Sequence, residues 1–326
     1  MLVVARLGLA GLIVLCCLAM MGRAWIKSFH EQRIAVVTLN VPSGWTASEV
    51  LKELAPDFSP RKRALIFSLY PQYTYLQMGR YEFQFDTTVV SALNKIHRGE
   101  VLLERLTIPE GITAKDLLGR IEKHQALVGA VSLEFGHWSG LVVDWPSHEG
   151  AFLAETYLWQ QALTRDGFLQ QAHKALNVAL DRAWRTADPI VATLLESPYE
   201  LLILASIVEK ETALEHERSK IAGVFLERLK RKMRLQTDPT VIYGLGDRFD
   251  GNITRNHLRE FTPYNTYRIN GLPPTPIALV GPDALMAVAR PKFTGDLYFV
   301  ADGSGGHVFS RTLEVHNANV RKYQLE

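Results

Sequence analysis

The sequence predicts an α+β fold, on three observations. Apolar residues recur at three- and four-residue spacing over much of the chain. Short β-prone stretches end in turns that lead to a Ser or Thr at a helix start. Near the end, "LYFVADGSGGHVFSR" from Leu297 reads as a hairpin whose glycines tolerate positive φ. The 326 residues exceed the usual domain of about 100 to 200, so an accessory unit beside a larger one is expected. A content of 47% hydrophobic residues supplies a core, and a formal charge of only +2 argues against nucleic acid as a partner.

In chain order, the first feature is "LGLAGLIVLCCLAMMG", Leu7 to Gly22, an uncharged run able to cross a bilayer. A cleaved signal peptide is the rival reading. Ala19 is followed by Met20 and Met21, however, and no small-x-small site follows, so residues 1–30 are read as a transmembrane anchor. Ile13, Val14 and Leu15 before Cys16 argue against lipidation. Cys16 and Cys17 are the only cysteines, so the rest of the chain can form no disulfide. Arg6 precedes the run while Arg23, Lys27 and Arg33 follow it, and this charge pattern leaves orientation open.

Two later stretches align residue for residue: "VPSGWTASEVLKEL" from Val41 and "IPEGITAKDLLGRI" from Ile108. Each reads as a strand end, a turn and a helix capped by Thr46 with Glu49 or by Thr113 with Asp116. "QFDTTVVSALNKIHRG" from Gln84 repeats the pattern more faintly. Generic βα units or a small glycan-binding fold would both produce it. Beyond the "EGAFLAETY" segment from Glu149, the periodicity predicts a helix around "FLQQAHKALNVALDRAW". Further helices are expected at Pro198–Thr212 and about Glu217–Lys232, after Asp238, Thr254 and Pro282, and after Thr312.

The segment "SIVEKET" holds the best candidate for chemistry. Ser197, Pro198 and Glu200 predict a capped helix start, and counting from there puts Glu211 on one face with Leu204, Ile207 and Val208. Glu209 points nearly the opposite way and, if solvated, stays an ordinary carboxylate. A carboxyl held among aliphatic side chains loses hydration of its charged form. A rise of about two pKa units would poise it near pH 6 to 7 as a general acid. The alternative is that Glu211 forms a partly buried ion pair with Arg218.

"ASIVEKET" from Ala205, "VFLERLKRKMRLQTDPTVIYGLG" from Val224, "YNTY" from Tyr264, "GLPPTPI" from Gly271 and "YFVADGSGGHVFS" from Tyr298 together resemble the endolytic murein transglycosylase, or YceG-like, family. Residues 35–106 resemble a LysM-like subdomain, and 107–326 then form a lysozyme-like catalytic domain. The resemblance implies cleavage of the MurNAc-β-1,4-GlcNAc bond within peptidoglycan strands, with a 1,6-anhydro-MurNAc product and Glu211 as sole catalytic carboxyl. It implies no cofactor and no metal. It also implies an N-terminus in the cytoplasm, a catalytic domain outside the inner membrane, and penicillin-binding synthases as partners in terminating nascent strands.

The same resemblance suggests Gln236, Asp238, Tyr264, Asn265, Tyr267, Glu155 and His307 as substrate-binding residues. Ala154 stands where the family usually has proline, which bears on the placement of Glu155. In "TDPT", Asp238 reads either as the N-cap of a short helix or as a second carboxylate. His307 either orients substrate or closes the hairpin, and no zinc spacing accompanies it. Two other functions remain open, a hydrolytic muramidase and a non-catalytic glycan-binding scaffold for wall synthases.

Overall fold

The structure, a computed structural model, describes residues 2–131, 147–160 and 163–325. The chain divides into two compact units, Met1–Glu104 with Leu158–Gln161, and Arg105–Tyr157 with Ala162–Glu326.

In the first unit, helix α1 covers Leu2–Glu31. The expected span begins at Leu7, and the side chains before Leu15 lie outside the described residues. Among the described residues no helix is long and apolar enough to cross a membrane. The far end of α1 serves a different purpose from the expected anchor. Phe29 is fully buried, with ring centroids 6.2 Å from Phe58 and 5.5 Å from Tyr70.

Strands β1 (Thr38–Val41) and β2 (Gly79–Glu82) pair antiparallel, with α2 (Ala47–Leu54) and α3 (Pro60–Leu69) between them in sequence and α4 (Val89–His97) after them. Val50, Leu51 and Leu54 of α2 and Val89, Ala92, Leu93 and Ile96 of α4 fill one core with Tyr81 and Phe83. The start of α2 follows from its sequence. Thr46 accepts the Glu49 N–H at 3.3 Å, and the Glu49 carboxylate accepts the Thr46 N–H at 2.6 Å, completing the expected box.

The second unit repeats this device. Strand β3 (Glu104–Thr107) leads through a turn with Gly111 at φ +73° to α5 (Ala114–Lys123), capped reciprocally by Thr113 and Asp116. The buried Glu149 carboxylate adds an acceptor for the Ala114 N–H, 2.9 Å away. Strand β4 (Leu127–Val128) pairs in parallel with β6 (Leu163–Thr164); β5 (Thr156–Trp159) lies between them in sequence.

Helices α6 (Arg165–Arg185), α7 (Pro189–Leu194), α8 (Pro198–Glu211), α9 (Glu215–Lys230) and α12 (Pro282–Ala289) build the main core; the short α10 (Asp238–Leu245) and α11 (Arg255–Arg259) lie between α9 and α12 in sequence. Helix α8 is central: every residue from Leu201 to Glu209 is buried, and α12 packs on both α8 and α9. Strands β7 (Tyr298–Ala301) and β8 (His307–Ser310) form the expected hairpin, with Ala301 opposite His307. Its tip is closed by Asp302, whose Oδ1 accepts the Ser304 N–H at 2.8 Å. Thr312 caps the last helix, α13 (Leu313–Val320), as expected.

The start of α8 departs from expectation in one respect. Ser197 accepts the Glu200 N–H at 3.3 Å, but the Glu200 carboxylate accepts the N–H of Glu196, at 2.7 Å, and the expected box is not closed. Ser197 has the extended conformation of φ −155°, and the side chain of Glu200 reaches one residue further back.

Candidate active site

Helix α8 ends at Glu211, and its carboxyl opens on a cleft of about 530 Å³. The cleft is walled by the loop of Leu235–Asp238, by Arg228 of α9, by Tyr267 and by the β7–β8 hairpin. Leu204, Ile207 and Val208, on its own side of the helix, are fully buried. Burial raises the Glu211 carboxyl to a pKa of about 7, and Asp238 adds to the rise. A hydrogen bond from the Thr237 hydroxyl pulls it the other way, as do His307 and Arg228. A group so poised is about half protonated at neutrality and can both give and take a proton.

Thr237 is held by a network of buried hydroxyls. Its N–H donates to Thr266 Oγ1 at 3.0 Å, and Thr240 Oγ1 donates to the Thr237 carbonyl at 2.7 Å while sitting 2.8 Å from Thr266 Oγ1. The Gln236 N–H donates to the Thr266 carbonyl at 3.3 Å, with Gln236 itself at φ +50°. Two distant segments of sequence thus fix the donor that faces Glu211.

Asp238 is not the expected N-cap. Thr237 occupies that position without a side-chain capping bond, and Asp238, the first residue of α10, turns its carboxylate to the Tyr267 hydroxyl, 2.6 Å away. Burial, then the bond to Asp238, raises the Tyr267 phenol well above its ordinary value, so it remains a donor. Glu211 and Asp238 therefore line one cleft along with Gln236, Tyr267 and His307.

His307 opens strand β8. Its N–H donates to Glu217 Oε1 at 2.9 Å and its Nδ1 lies 2.7 Å from Glu217 Oε2. A carboxylate only accepts, so this contact assigns a proton to Nδ1. Burial acts to raise Glu217, but the bonds from His307 outweigh it and its carboxyl lies below its usual value. Thr212, directly after Glu211, reaches the same carboxylate with its hydroxyl at 3.4 Å.

The other expected residues lie elsewhere. Asn265 is buried, its amide donating to the carbonyls of His257, Leu258 and Glu260 at 3.1, 3.3 and 2.7 Å, which closes the end of α11. Tyr264 bonds Thr275 at 2.8 Å and meets Tyr243 edge-to-face at 4.9 Å. Glu155 is exposed and accepts its neighbour's N–H, at 3.2 Å, while its carbonyl accepts from Ile108. None of these three lines the cleft.

Two charged groups of α8 and α9 are settled by their neighbours. Glu209 is buried, accepting from Arg218 at 3.0 Å and from the Gly281 N–H at 3.0 Å; burial, together with the nearby Glu110, raises it. Arg218 also donates to Glu110 at 2.7 Å, so it is the partner of Glu209 and not of Glu211. The face argument assumed one wet side, and α8 is enclosed by its neighbours.

Three lining or supporting residues were not singled out from the sequence: Thr237, Glu217 and Arg228. Thr237 and Arg228 lie inside the quoted motifs, but each is a common structural residue type whose role depends on partners far away in sequence.

A profile of the YceG-like family matches residues 39–322. The chain is 45% identical over 127 residues to an endolytic murein transglycosylase of Bacillus subtilis (strain 168), covering 39% of this chain and 35% of that one. It is 28% identical over 330 residues to an endolytic murein transglycosylase of Streptococcus pneumoniae serotype 2 (strain D39 / NCTC 7466), covering 88% and 58%. It thus spans about a third to somewhat over half the length of these relatives. A solved structure of a yceG-like protein from Listeria monocytogenes superposes with a TM-score of 0.56 at 29% identity, covering 86% of this chain and 98% of that one. The chain therefore belongs to the YceG-like family.

Proposed function

We propose that the protein is an endolytic lytic transglycosylase that cuts the MurNAc-β-1,4-GlcNAc bond within peptidoglycan strands, with Glu211 as its acid and base. The observation that carries this reading is a carboxyl of pKa about 7 at the end of a buried helix, opening on a cleft lined with aromatic and polar side chains. Protonated Glu211 gives its proton to the glycosidic oxygen as the C1–O bond breaks. Its carboxylate then takes the proton of the MurNAc 6-hydroxyl as that oxygen bonds to C1, leaving the 1,6-anhydro sugar and a restored acid. No water is consumed, so one carboxyl suffices.

A second reading rests on Asp238, which lines the same cleft: a hydrolytic muramidase with two carboxylates. Mass spectrometry of digested glycan separates the two. Anhydro-MurNAc ends support the lyase; reducing MurNAc ends carrying one added water would establish hydrolysis. If Glu211→Gln cleaved as well as the wild type, the assignment of Glu211 would fail. A wild type releasing nothing would favour the scaffold.

Membrane attachment belongs to the same proposal. It is supported by the uncharged run from Leu7 and by the exposure of Leu15, Leu18, Met20 and Met21 along α1. The strand–helix–helix–strand order of β1, α2, α3 and β2 supports the LysM-like reading of residues 35–106. An extracytoplasmic location with wall synthases as partners completes the proposal on family resemblance. A C-terminal reporter active only in the cytoplasm would overturn the topology.

A further inference from the structure

We infer that helix α13 forms the wall of the cleft that recognises the 2-acetamido group of a strand sugar, with Asn317 as its hydrogen-bonding residue; this rests on the glycan-cleaving reading above. Leu313, His316, Asn317 and Val320 all line the cleft that holds Glu211, whereas Glu314, Val315, Ala318 and Asn319 between them do not. Spacings of three, four and seven residues define one face of a helix, so it is this face that α13 turns to the cleft. The wall is tied down from behind. The His316 ring stacks on Tyr298 of β7, with centroids 5.2 Å apart and planes 24° from parallel. The Asn319 amide donates to Ser310 Oγ of β8 at 3.0 Å. Asn317, by contrast, is exposed, and its side chain makes no hydrogen bond among the described residues. Its donors and its acceptor are available to a ligand.

The chemistry of the face narrows the ligand. Leu313 and Val320 are aliphatic and Asn317 carries a neutral amide. Burial, together with the nearby Arg228, holds His316 below its ordinary value, so its ring is uncharged at neutrality. The carboxyls of Glu211 and Asp238 lie elsewhere around the same cleft. An uncharged face with apolar groups flanking an amide suits a ligand group of the same kind. An amide pairs with an amide through one N–H and one C=O, while a methyl packs on the aliphatic side chains. The acetamido group has these parts, and both MurNAc and GlcNAc carry it. A hydroxyl alone would leave the aliphatic positions unused.

The test is equilibrium binding of a stem-free tetrasaccharide of alternating MurNAc and GlcNAc, before and after N-deacetylation, to the full chain carrying Glu211→Gln so that no turnover occurs. Adding Asn317→Ala should weaken the acetylated saccharide about three- to tenfold, the range of one net hydrogen bond, and the deacetylated one less than about twofold. This substitution alters no charge, so any attraction of the free amines to Asp238 cancels from the comparison. Leu313→Ala should act in the same direction, and Val315→Ala, away from the cleft-facing side, should leave the selectivity unchanged. Because Asn317 is exposed and its side chain unbonded, the variant reads contact with the sugar and not folding. No effect of Asn317→Ala, an equal effect on both saccharides, an equal loss of selectivity from Val315→Ala, or binding of neither saccharide overturns the inference. Wild type that releases no anhydro ends while the selectivity holds would sink the lyase reading and leave the wall standing; anhydro ends without the selectivity would sink the wall alone.

Discussion

At the scale of single residues, the decisive quantity is the proton on Glu211. Its folded pKa of about 7 stands above the ordinary 4.5, so the folded state binds a proton that the unfolded chain has released between those two values. Ionisation therefore weakens the fold as pH rises through that window, and the penalty is complete above pH 7. Glu211→Gln is expected to leave stability nearly unchanged at pH 5 and to raise it at pH 8 by on the order of 1–3 kcal/mol, measured by chemical denaturation at both values. The same ionisation should lower kcat/KM as pH climbs past 7. Thr237→Val removes a donor that favours the charged form, so the falling limb should move to higher pH. An unmoved limb would show that the Thr237 bond does not tune the acid. Glu217→Gln takes the anion from His307 and loosens the ring's orientation. An activity loss of up to about 100-fold with an unchanged circular dichroism spectrum is expected, and full activity would show that the Glu217 contact does not position the ring for catalysis.

At the scale of elements, the second unit depends on how closely α8, α9 and α12 approach. Gly223 of α9 faces the main chain at Lys292, whose N–H bonds the Ser219 carbonyl at 2.8 Å, and a methyl group at 223 would run into the Lys292 carbonyl. Backbone cannot rotate aside as a side chain does, so Gly223→Ala should destabilise by about 1–3 kcal/mol despite alanine's better helix propensity. Thermal denaturation checks the sign: a stabilised variant would mean the helix shifts freely. Arg218 ties α9 to Glu209 of α8 and to Glu110 before α5. Arg218→Met would leave the Glu209 carboxyl buried without its cation, and a loss of about 3–5 kcal/mol is expected. Much of this level was legible in the sequence because its signals are local. Thr46, Thr113, Thr254 and Thr312 each accept an N–H at the helix start they precede, and the hairpin follows from its glycines. The fate of Glu209 was not legible, since helical periodicity orders faces around an axis but does not say which neighbours cover each face. The place of Asn265 was not legible for a related reason: an amide suited to sugar hydroxyls is equally suited to three main-chain carbonyls, and the loop path sets which of them it meets.

At the scale of the whole molecule, the chain carries two cores, one around Phe29, Phe58, Tyr81 and Leu93, the other around Leu204, Phe225 and Val288. Each belongs to one compact unit, so their stabilities are separable quantities and a single two-state transition is not the expectation. Phe58 is almost fully buried and its ring neighbours Phe29, so truncation opens a cavity in the first core alone. Phe58→Ala is expected to lower one unfolding transition of the full chain by about 3–5 kcal/mol and leave the other in place. Glu211→Gln should move only the transition that Phe58→Ala spares. Scanning calorimetry of the two single variants and of the double variant decides it. If both substitutions shift one common transition and their effects fail to add, the two units fold as a single cooperative body.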